Sequence, residues 1–446
     1  MINVCNLIVS RFGGIAAATA DEVKKAAEII RSNHARRFVV ISAPGATSDS
    51  IGMTDMLYIC HARSSSRESY DDILWKIEQC YKNIVDGLGI KFDIDTEINA
   101  LKKSLELGMN LDYIGSLGEY IMAKIFAEFL GWEFVDASKI IFFGRDGKPD
   151  KEKTFREAGE KLKHYERAVI PSFYGTNYDG KIKTFPRGDC DTAGALIACA
   201  VHADMFEKWS ESAKIFSADP AVIHDSEVIR NITYMEALEM NYIGIKIVTD
   251  DVIFMLNEAA IPMALYSTHA PKDDAMLITP KLSEKISRNV TACIAGHNNF
   301  TIIHIHKYGL NNAYDFGEKL FGLFAKRRIA CRYYLSGIHK MSVVLKAPGF
   351  DLRRDEIIDE IKKVIEPYAI IVEKGLSLVA AVGEGIGQAP GTFRRIFEAL
   401  SHENIEIKML EHGADNLNII VGVSDKDYDK AIKALYRALV LHEEGE

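Results

Sequence analysis

The residues best suited to chemistry lie at positions 170–195, I-P-S-F-Y-G-T-N-Y-D-G-K-I-K-T-F-P-R-G-D-C-D-T-A-G-A. An apolar lead-in reaches Pro171, a loop carries Gly175 and Gly180, and Arg187-Gly188-Asp189-Cys190-Asp191 precedes a small-residue apolar segment that reads as a buried helix. A strand, a glycine-bearing loop and a helix N-terminus together suit a small anion, because exposed N–H groups and the helix dipole both favour negative charge. An ordinary surface turn before a core helix is the competing reading, since glycine loops are abundant. A second cradle follows the apolar residues 3–10, which break at Arg11-Phe12-Gly13-Gly14 before a helical pattern with Asp21 as a plausible cap. Its glycines match neither a P-loop nor a dinucleotide fingerprint.

The chain that must position these loops has 446 residues, enough for two or three domains with ample core. Hydrophobic content of 48% with 26% charged residues describes a soluble globular protein. A net charge of −9 argues against a nucleic-acid or membrane-surface role. No apolar run approaches the ~20 residues that span a bilayer, and the N-terminus reads as a strand rather than a signal peptide. Seven scattered cysteines without C-x-x-C spacing suit reduced thiols in a cytoplasm. The histidines form no H-E-x-x-H pattern, and no metal site of the protein's own side chains is expected.

Residues 38–43 form an apolar strand ending at Pro44-Gly45, followed by a polar loop to Thr54, which either caps a helix or faces a ligand. Residues 69–107 read as amphipathic helix without chemistry. Asp112 to Glu119 opens another helix, where the Glu119 carboxylate either complements the dipole or contacts a ligand. The polar stretch 270–287 reads as a linker. Beyond it, strands at 300–306, 330–335 and 341–346 alternate with helices at 314–326 and 354–365. Strands at 376–382, 405–410 and 417–423 with helices at 392–402 and 428–439 repeat the order, which suggests tandem ferredoxin-like β-α-β-β-α-β units.

These stretches resemble the aspartokinases of the amino-acid kinase superfamily. Phe12, Gly13 and Gly14 match the family's K-F-G-G-T-S, with Arg11, Ile15 and Ala16 as departures. Pro171, Phe173, Gly175, Thr184, Arg187, Gly188 and Asp191 match P-G-F-x-G and T-F/L-x-R-G-G-S-D-x-T, with Ser172, Asp189 and Cys190 as departures. The run from Asp112 to Glu119 resembles D-x-x-x-S-x-G-E. Trp209, Asp219 and Pro220 match W-T-D-V and Y-T-x-D-P-R; Ser210, Glu211, Phe216 and Ala221 stand at its other positions. Glu236, Ala237, Glu239, Tyr242, Gly244 and Lys246 fit I-S-Y-x-E-A-x-E-L-A-Y-x-G-A-K. The two C-terminal units resemble the paired ACT domains of the same family, in which the first is inserted into the second.

The resemblance implies an α/β three-layer amino-acid kinase fold with a mainly parallel central sheet over 1–285. Two α+β ACT modules follow at 286–372 and 373–446, with strand 290–294 pairing with the later one. It implies an aspartate kinase, a phosphotransferase with a carboxyl acceptor, making 4-phospho-L-aspartate from ATP for the biosynthesis of lysine, threonine and methionine. Arg11, Glu119, Arg187 and Asp191 would be catalytic. Thr54, Ser116, Glu119, Phe173, Arg187 and Asp191 would bind L-aspartate, with Arg187 on its α-carboxylate. Arg11, Gly13, Gly14, Ser210, Glu211, Phe216, Asp219 and Lys246 would bind ATP, with Mg²⁺ bridging its phosphates. A cytoplasmic homodimer or larger oligomer, joined and feedback-controlled through the ACT modules, completes the expectation. Arg332 stands where lysine-sensitive relatives carry an acidic residue, so lysine inhibition through that contact is not expected. An additional carboxylate at Asp189 would repel phosphate by ~4 kcal/mol at ~4 Å and an effective dielectric of ~20. The alternative implied by the departures at Arg11, Ile15, Ala16, Asp189, Cys190 and Ala221 is a catalytically impaired homologue acting as an amino-acid sensor or regulatory subunit.

Overall fold

The computed structural model describes residues 6–47, 51–281, 291–310, 314–413 and 415–441. The chain divides into two compact units. The first runs to Ile215 and resumes over Ile229–Leu238 and again from Lys246; the second comprises Phe216–Val228, Glu239–Ile245 and the described residues from Thr291 onward.

In chain order the first unit begins with strand β1 (Ile8–Phe12), helix α1 (Ala20–Arg31) and strand β2 (Arg36–Ile41). Four helices follow: α2 (Met53–Ser65), α3 (Asp71–Leu88), α4 (Ile94–Glu106) and α5 (Leu111–Leu130). Next come β3 (Glu133–Phe134), α6 (Lys151–Leu162), β4 (Ala168–Pro171), the hairpin β5 (Tyr174–Thr176) and β6 (Ile182–Thr184), α7 (Asp191–Ala200) and β7 (Met205–Ser210). The remainder is β8 (Asn231–Thr233), the start of α8 (Tyr234–Tyr242), whose residues from Glu239 belong to the second unit, α9 (Asp250–Glu258), β9 (Met263–Ser267) and β10 (Met276–Thr279).

Eight of these strands form one sheet in the order β3-β4-β2-β1-β7-β9-β10-β8. The first six are mutually parallel, and β10 runs antiparallel to β9. All five residues of β1 are buried, as expected of a central parallel strand covered on both faces. The mainly parallel α/β architecture implied by the resemblance is therefore present.

Several local expectations change. Residues 1–5 lie outside the described set, and the strand expected over 3–10 is seen from Ile8. Thr19, not Asp21, caps α1, its side chain accepting the Glu22 N–H at 3.3 Å. Thr54 caps nothing, because the cap of α2 is Gly52. The long helical section breaks into α3 and α4 at Gly89 (φ 69°), and Asp93 restarts it by accepting the Thr96 N–H at 3.1 Å. Helix α5 is capped by Asn110, which leaves Glu119 beyond its second turn, too far along to complement the dipole. Part of the expected linker is strand β10, whose Met276 and Ile278 are buried by a period-two pattern between polar residues. Residues 282–287 of that stretch lie outside the described set.

The second unit contains β11 (Cys293–His306), α10 (Phe316–Lys326), β12 (Cys331–Ser336), β13 (Lys340–Lys346), α11 (Ala347–Asp351), α12 (Arg354–Ile365) and β14 (Ala369–Val382). It ends with α13 (Thr392–His402), β15 (Met409–His412), β16 (Asn418–Ser424) and α14 (Tyr428–Leu439). Its six strands make one antiparallel sheet, β12-β13-β11-β14-β16-β15. The long strands β11 and β14 pair with each other in two registers. Thr301–His306 meets Ala369–Lys374, and Cys293–His297 meets Leu378–Val382. The offset falls at Asn299 (φ 66°) and Gly375 (φ 73°). Two β-α-β-β-α-β halves thus share one sheet, each with its own helix pair and apolar core. Val290, the expected start of the first strand, lies outside the described residues.

Candidate active site

In open parallel sheets, ligands bind beyond the carboxyl ends of the strands. Here β1, β2 and β4 end in Gly13-Gly14, Ser42 to Gly45, and Ser172-Phe173. The Gly13 N–H donates to the Trp209 carbonyl at 3.1 Å, and the Gly45 N–H donates to the Gly14 carbonyl at 2.8 Å. A Cβ on Gly45 would fall 2.8 Å from the Gly14 carbonyl carbon, so the two loops touch backbone to backbone as only glycine permits. Phe173 is buried with φ 67°, a left-handed conformation that a bulky residue keeps only under surrounding constraint.

Beside this cradle Arg11, on β1, places its Nε 3.1 Å from Asp191 Oδ1 at the start of α7. Its Nη2 reaches the Ser42 hydroxyl at 3.4 Å. A Cβ on Gly13 would lie 3.2 Å from Arg11 Nη1, so the guanidinium lies against the glycine turn. Gly194 makes the approach possible: a Cβ there would meet the Phe206 ring at 2.7 Å and the Arg11 Cβ at 3.3 Å. On β7, the Lys208 ammonium stands 2.8 Å from Asp191 Oδ2 and donates to the Ile247 carbonyl at 2.9 Å. Burial alone would raise the Asp191 carboxyl, but Arg11 and Lys208 outweigh it and hold it below the ordinary value. Burial would likewise lower the Arg11 guanidinium, yet Asp191, Cys190 and Glu119 hold it above. Two cations around one carboxylate leave a net positive charge beside the glycine N–H groups, which suits a phosphate.

Glu119 is 3% exposed, and its Oε2 is buried with no hydrogen-bond partner. Burial pushes its carboxyl up to about 8, against the opposing pull of its own N–H, the Ala43 N–H and Arg11. Cys190 faces Ser172 and Ser42, and burial raises its thiol against the pull of Arg11. The Ser42 and Ser172 hydroxyls lie 3.2 Å apart.

The loop substitution at Asp189 has a local outlet. Its Oδ1 accepts the Thr192 hydroxyl at 2.5 Å and the Thr249 hydroxyl at 3.3 Å, so the carboxylate is tied to the starts of α7 and α9. Ala16 is buried, Ile15 half-buried, and Ala221 exposed in the second unit, its N–H donating to Asp219 at 2.9 Å.

The fold therefore brings Arg11, Gly13, Gly14, Glu119 and Asp191 to one end of the sheet. Arg187 is 65% exposed and pairs with Asp55 on α2. Ser116 is buried with its hydroxyl given to the Tyr113 carbonyl at 2.7 Å, and Thr54 is half-buried in the first turn of α2. Ser210 donates to the Ser212 carbonyl at 2.8 Å, while Glu211 and Lys246 are exposed. Phe216 and Asp219 belong to the second unit, where Phe216 bridges to Val228. Sequence reasoning missed Lys208 and gave no role of their own to Ser42 and Asp112, although both stand in stretches it singled out. Asp112 accepts from Thr184 and pairs with Lys183 at 3.1 Å, fastening the β5–β6 hairpin to α5. A signal for Lys208 existed: Glu207-Lys208 puts two adjacent charges in a strand otherwise fit for burial, and buried charges need partners.

Among the described residues, no helix is long and apolar enough to cross a membrane, and no group of three His, Cys, Asp or Glu side chains is set to hold a metal ion.

The fold agrees with sequence relationships. The chain belongs to the amino acid kinase family, which matches it over residues 6–267, and an ACT domain matches residues 379–439. Its relatives along nearly the whole chain are aspartokinases. Aspartokinase 3 of Bacillus subtilis (strain 168) is 25% identical, with 96% of this chain and 98% of that protein covered. The lysine-sensitive aspartokinase 3 of Escherichia coli (strain K12) is also 25% identical, with 97% and 99% covered. The crystal structure of Clostridium acetobutylicum aspartate kinase superposes with a TM-score of 0.90 at 35% identity, covering 97% of this chain and 100% of that one.

Proposed function

We propose that this chain is an aspartate kinase that transfers the γ-phosphoryl group of ATP to the β-carboxylate of L-aspartate, giving 4-phospho-L-aspartate. The observation that carries the substrate assignment is Glu119, whose buried Oε2 lacks a donor beside a cluster of net positive charge. A substrate ammonium supplies that donor, and the cluster faces the anions. A carboxylate nucleophile needs no base at neutral pH, so the protein chiefly opposes repulsion between two anions and aligns them. Arg11 and the N–H groups of Gly13 and Gly14 take phosphate oxygens. Arg187 exchanges Asp55 for the α-carboxylate of aspartate, a bidentate match to its planar fork.

Mg²⁺ carried by the nucleotide would supply charge neutralisation between its phosphates. Such an ion keeps most of its ligands as phosphate and water and needs one or two carboxylates. Asp191 already has both oxygens on cations, whereas Asp189 takes only hydroxyl and N–H donors and is the carboxylate of this loop suited to that role. The same tethering supports an active enzyme over an impaired homologue, because the added charge is directed to Thr192 and Thr249. The chain acts in the cytoplasm, in biosynthesis of aspartate-derived amino acids including lysine, as a homodimer regulated through its ACT modules. Calorimetric titration with Mg-ATP and L-aspartate, followed by aspartyl-hydroxamate formation in the same sample, tests the reading. Binding with turnover supports it, and aspartate binding without turnover would move the chain to the sensor class.

A further inference from the structure

Two adjacent charges interrupt strand β7, and they have different explanations. Glu207 is consumed by the sheet, accepting from Arg36, Ser10 and Trp209. Lys208 instead points its ammonium at Asp191 and Ile247, and its side chain is 16% exposed. We propose that Lys208 is a positioning residue for phosphoryl transfer, holding Asp191 so that Asp191 keeps the Arg11 guanidinium aimed at the Gly13–Gly14 turn. This rests on the kinase reading above.

The geometry divides the Asp191 carboxylate between two cations, Oδ1 to Arg11 and Oδ2 to Lys208. An ammonium on Oδ2 fixes the rotation of the carboxylate, and with it the position of Oδ1. Arg11 then has an ionic contact from Nε to Asp191, outside hydrogen-bond geometry, and a hydrogen bond from Nη2 to Ser42, which leaves Nη1 against Gly13. A guanidinium held along one edge in this way presents the other in a fixed direction. Without Lys208, Oδ2 would be a buried carboxylate oxygen lacking its cation. The carboxylate would then be free to rotate, and Arg11 would lose its fixed anchor. The same ammonium binds the Ile247 carbonyl, between Lys246 and Thr249, whose hydroxyl donates to Asp189. One side chain thus ties β7, the start of α7 and the segment carrying Lys246.

The test compares the full-length wild type with Lys208→Met and Lys208→Arg by steady-state kinetics, with circular dichroism as the folding control. Misplacing a catalytic group by about 1 Å costs about a hundredfold, so Lys208→Met is expected to lower kcat by about that factor. The KM for aspartate stays within about twofold, since only orientation at the reacting centre is lost. Lys208→Arg restores most of the rate. A folded Lys208→Met enzyme with wild-type kcat overturns the proposal. Should Lys208→Met not fold, Lys208→Gln keeps a donor in place without the charge. It is expected to show the same slower kcat, and a wild-type kcat there overturns the proposal equally. Absence of turnover in the wild type itself defeats the kinase reading, which separates that failure from one confined to Lys208.

Discussion

Arg36 reaches across the central strand to Glu207, with Nε 2.7 Å from Oε2 and Nη2 3.1 Å from Oε1. One residue lies on β2 and the other on β7, the two neighbours of β1, so this bidentate pair brackets the strand that carries Arg11. Ser10 and the Trp209 indole also donate to Glu207, both at 2.9 Å, and the Arg36 guanidinium lies over the Trp209 ring. Truncating one partner leaves the other charge buried and alone. Glu207→Ala is therefore expected to destabilise the first unit by about 3–5 kcal/mol, measured by denaturant unfolding. A loss under 1 kcal/mol would mean the pair is solvated in solution.

If aspartate binds at Glu119 as proposed, its binding is expected to release a proton. With its carboxyl near 8, it is mostly protonated at pH 7, and an ammonium partner favours the charged form. Calorimetry in two buffers of different ionisation enthalpy should report nearly one proton released per aspartate at pH 7, and none in Glu119→Gln. The same shift bears on stability. A carboxyl raised from 4.5 to about 8 contributes stability below the lower value and loses it as pH rises through the upper one. Unliganded protein should thus melt at lower temperature at pH 9 than at pH 6, by a margin that shrinks in Glu119→Gln.

Gly45→Ala should damage the cradle rather than the core. The new Cβ would press on the Gly14 backbone at 2.8 Å, which cannot yield as a side chain can. A cost of about 1–3 kcal/mol is expected, read as weaker ATP binding with aspartate affinity less affected. Unchanged nucleotide affinity would remove Gly14 from the phosphate site.

Asp189→Gly, which restores the residue of the family pattern, should not improve the protein freely. It removes the acceptor of the Thr192 and Thr249 hydroxyls, a loss of about 1 kcal/mol by analogy with helix caps. Thermal melting beside hydroxamate formation reads both effects. A faster enzyme with an unchanged melting point would show that Asp189 opposes phosphate and caps nothing.

Millimolar lysine should not inhibit through Arg332. That guanidinium lies 4.6 Å over the Tyr242 ring, and the Tyr242 hydroxyl donates to the Arg332 carbonyl at 2.9 Å. A cation so placed repels a ligand ammonium. Lysine inhibition that disappears in Arg332→Ala would reverse this expectation.

By itself the sequence determined the class of fold and the loops of the site. Apolar runs with period-two and helical patterns are local properties, so β1 with its Gly13-Gly14 turn, the helix after Asp191, and the repeated C-terminal elements were legible. Tertiary structure decided which charges meet. Arg11, Asp191 and Lys208 come from β1, α7 and β7, and no spacing along the chain records that packing. The elevated Glu119 carboxyl is equally a product of enclosure, since desolvation depends on what surrounds a helix face. The tethered Asp189 required α9 to arrive beside α7. Local sequence specifies elements because backbone and periodicity act over a few residues, whereas the partner of a buried charge is chosen by the whole fold.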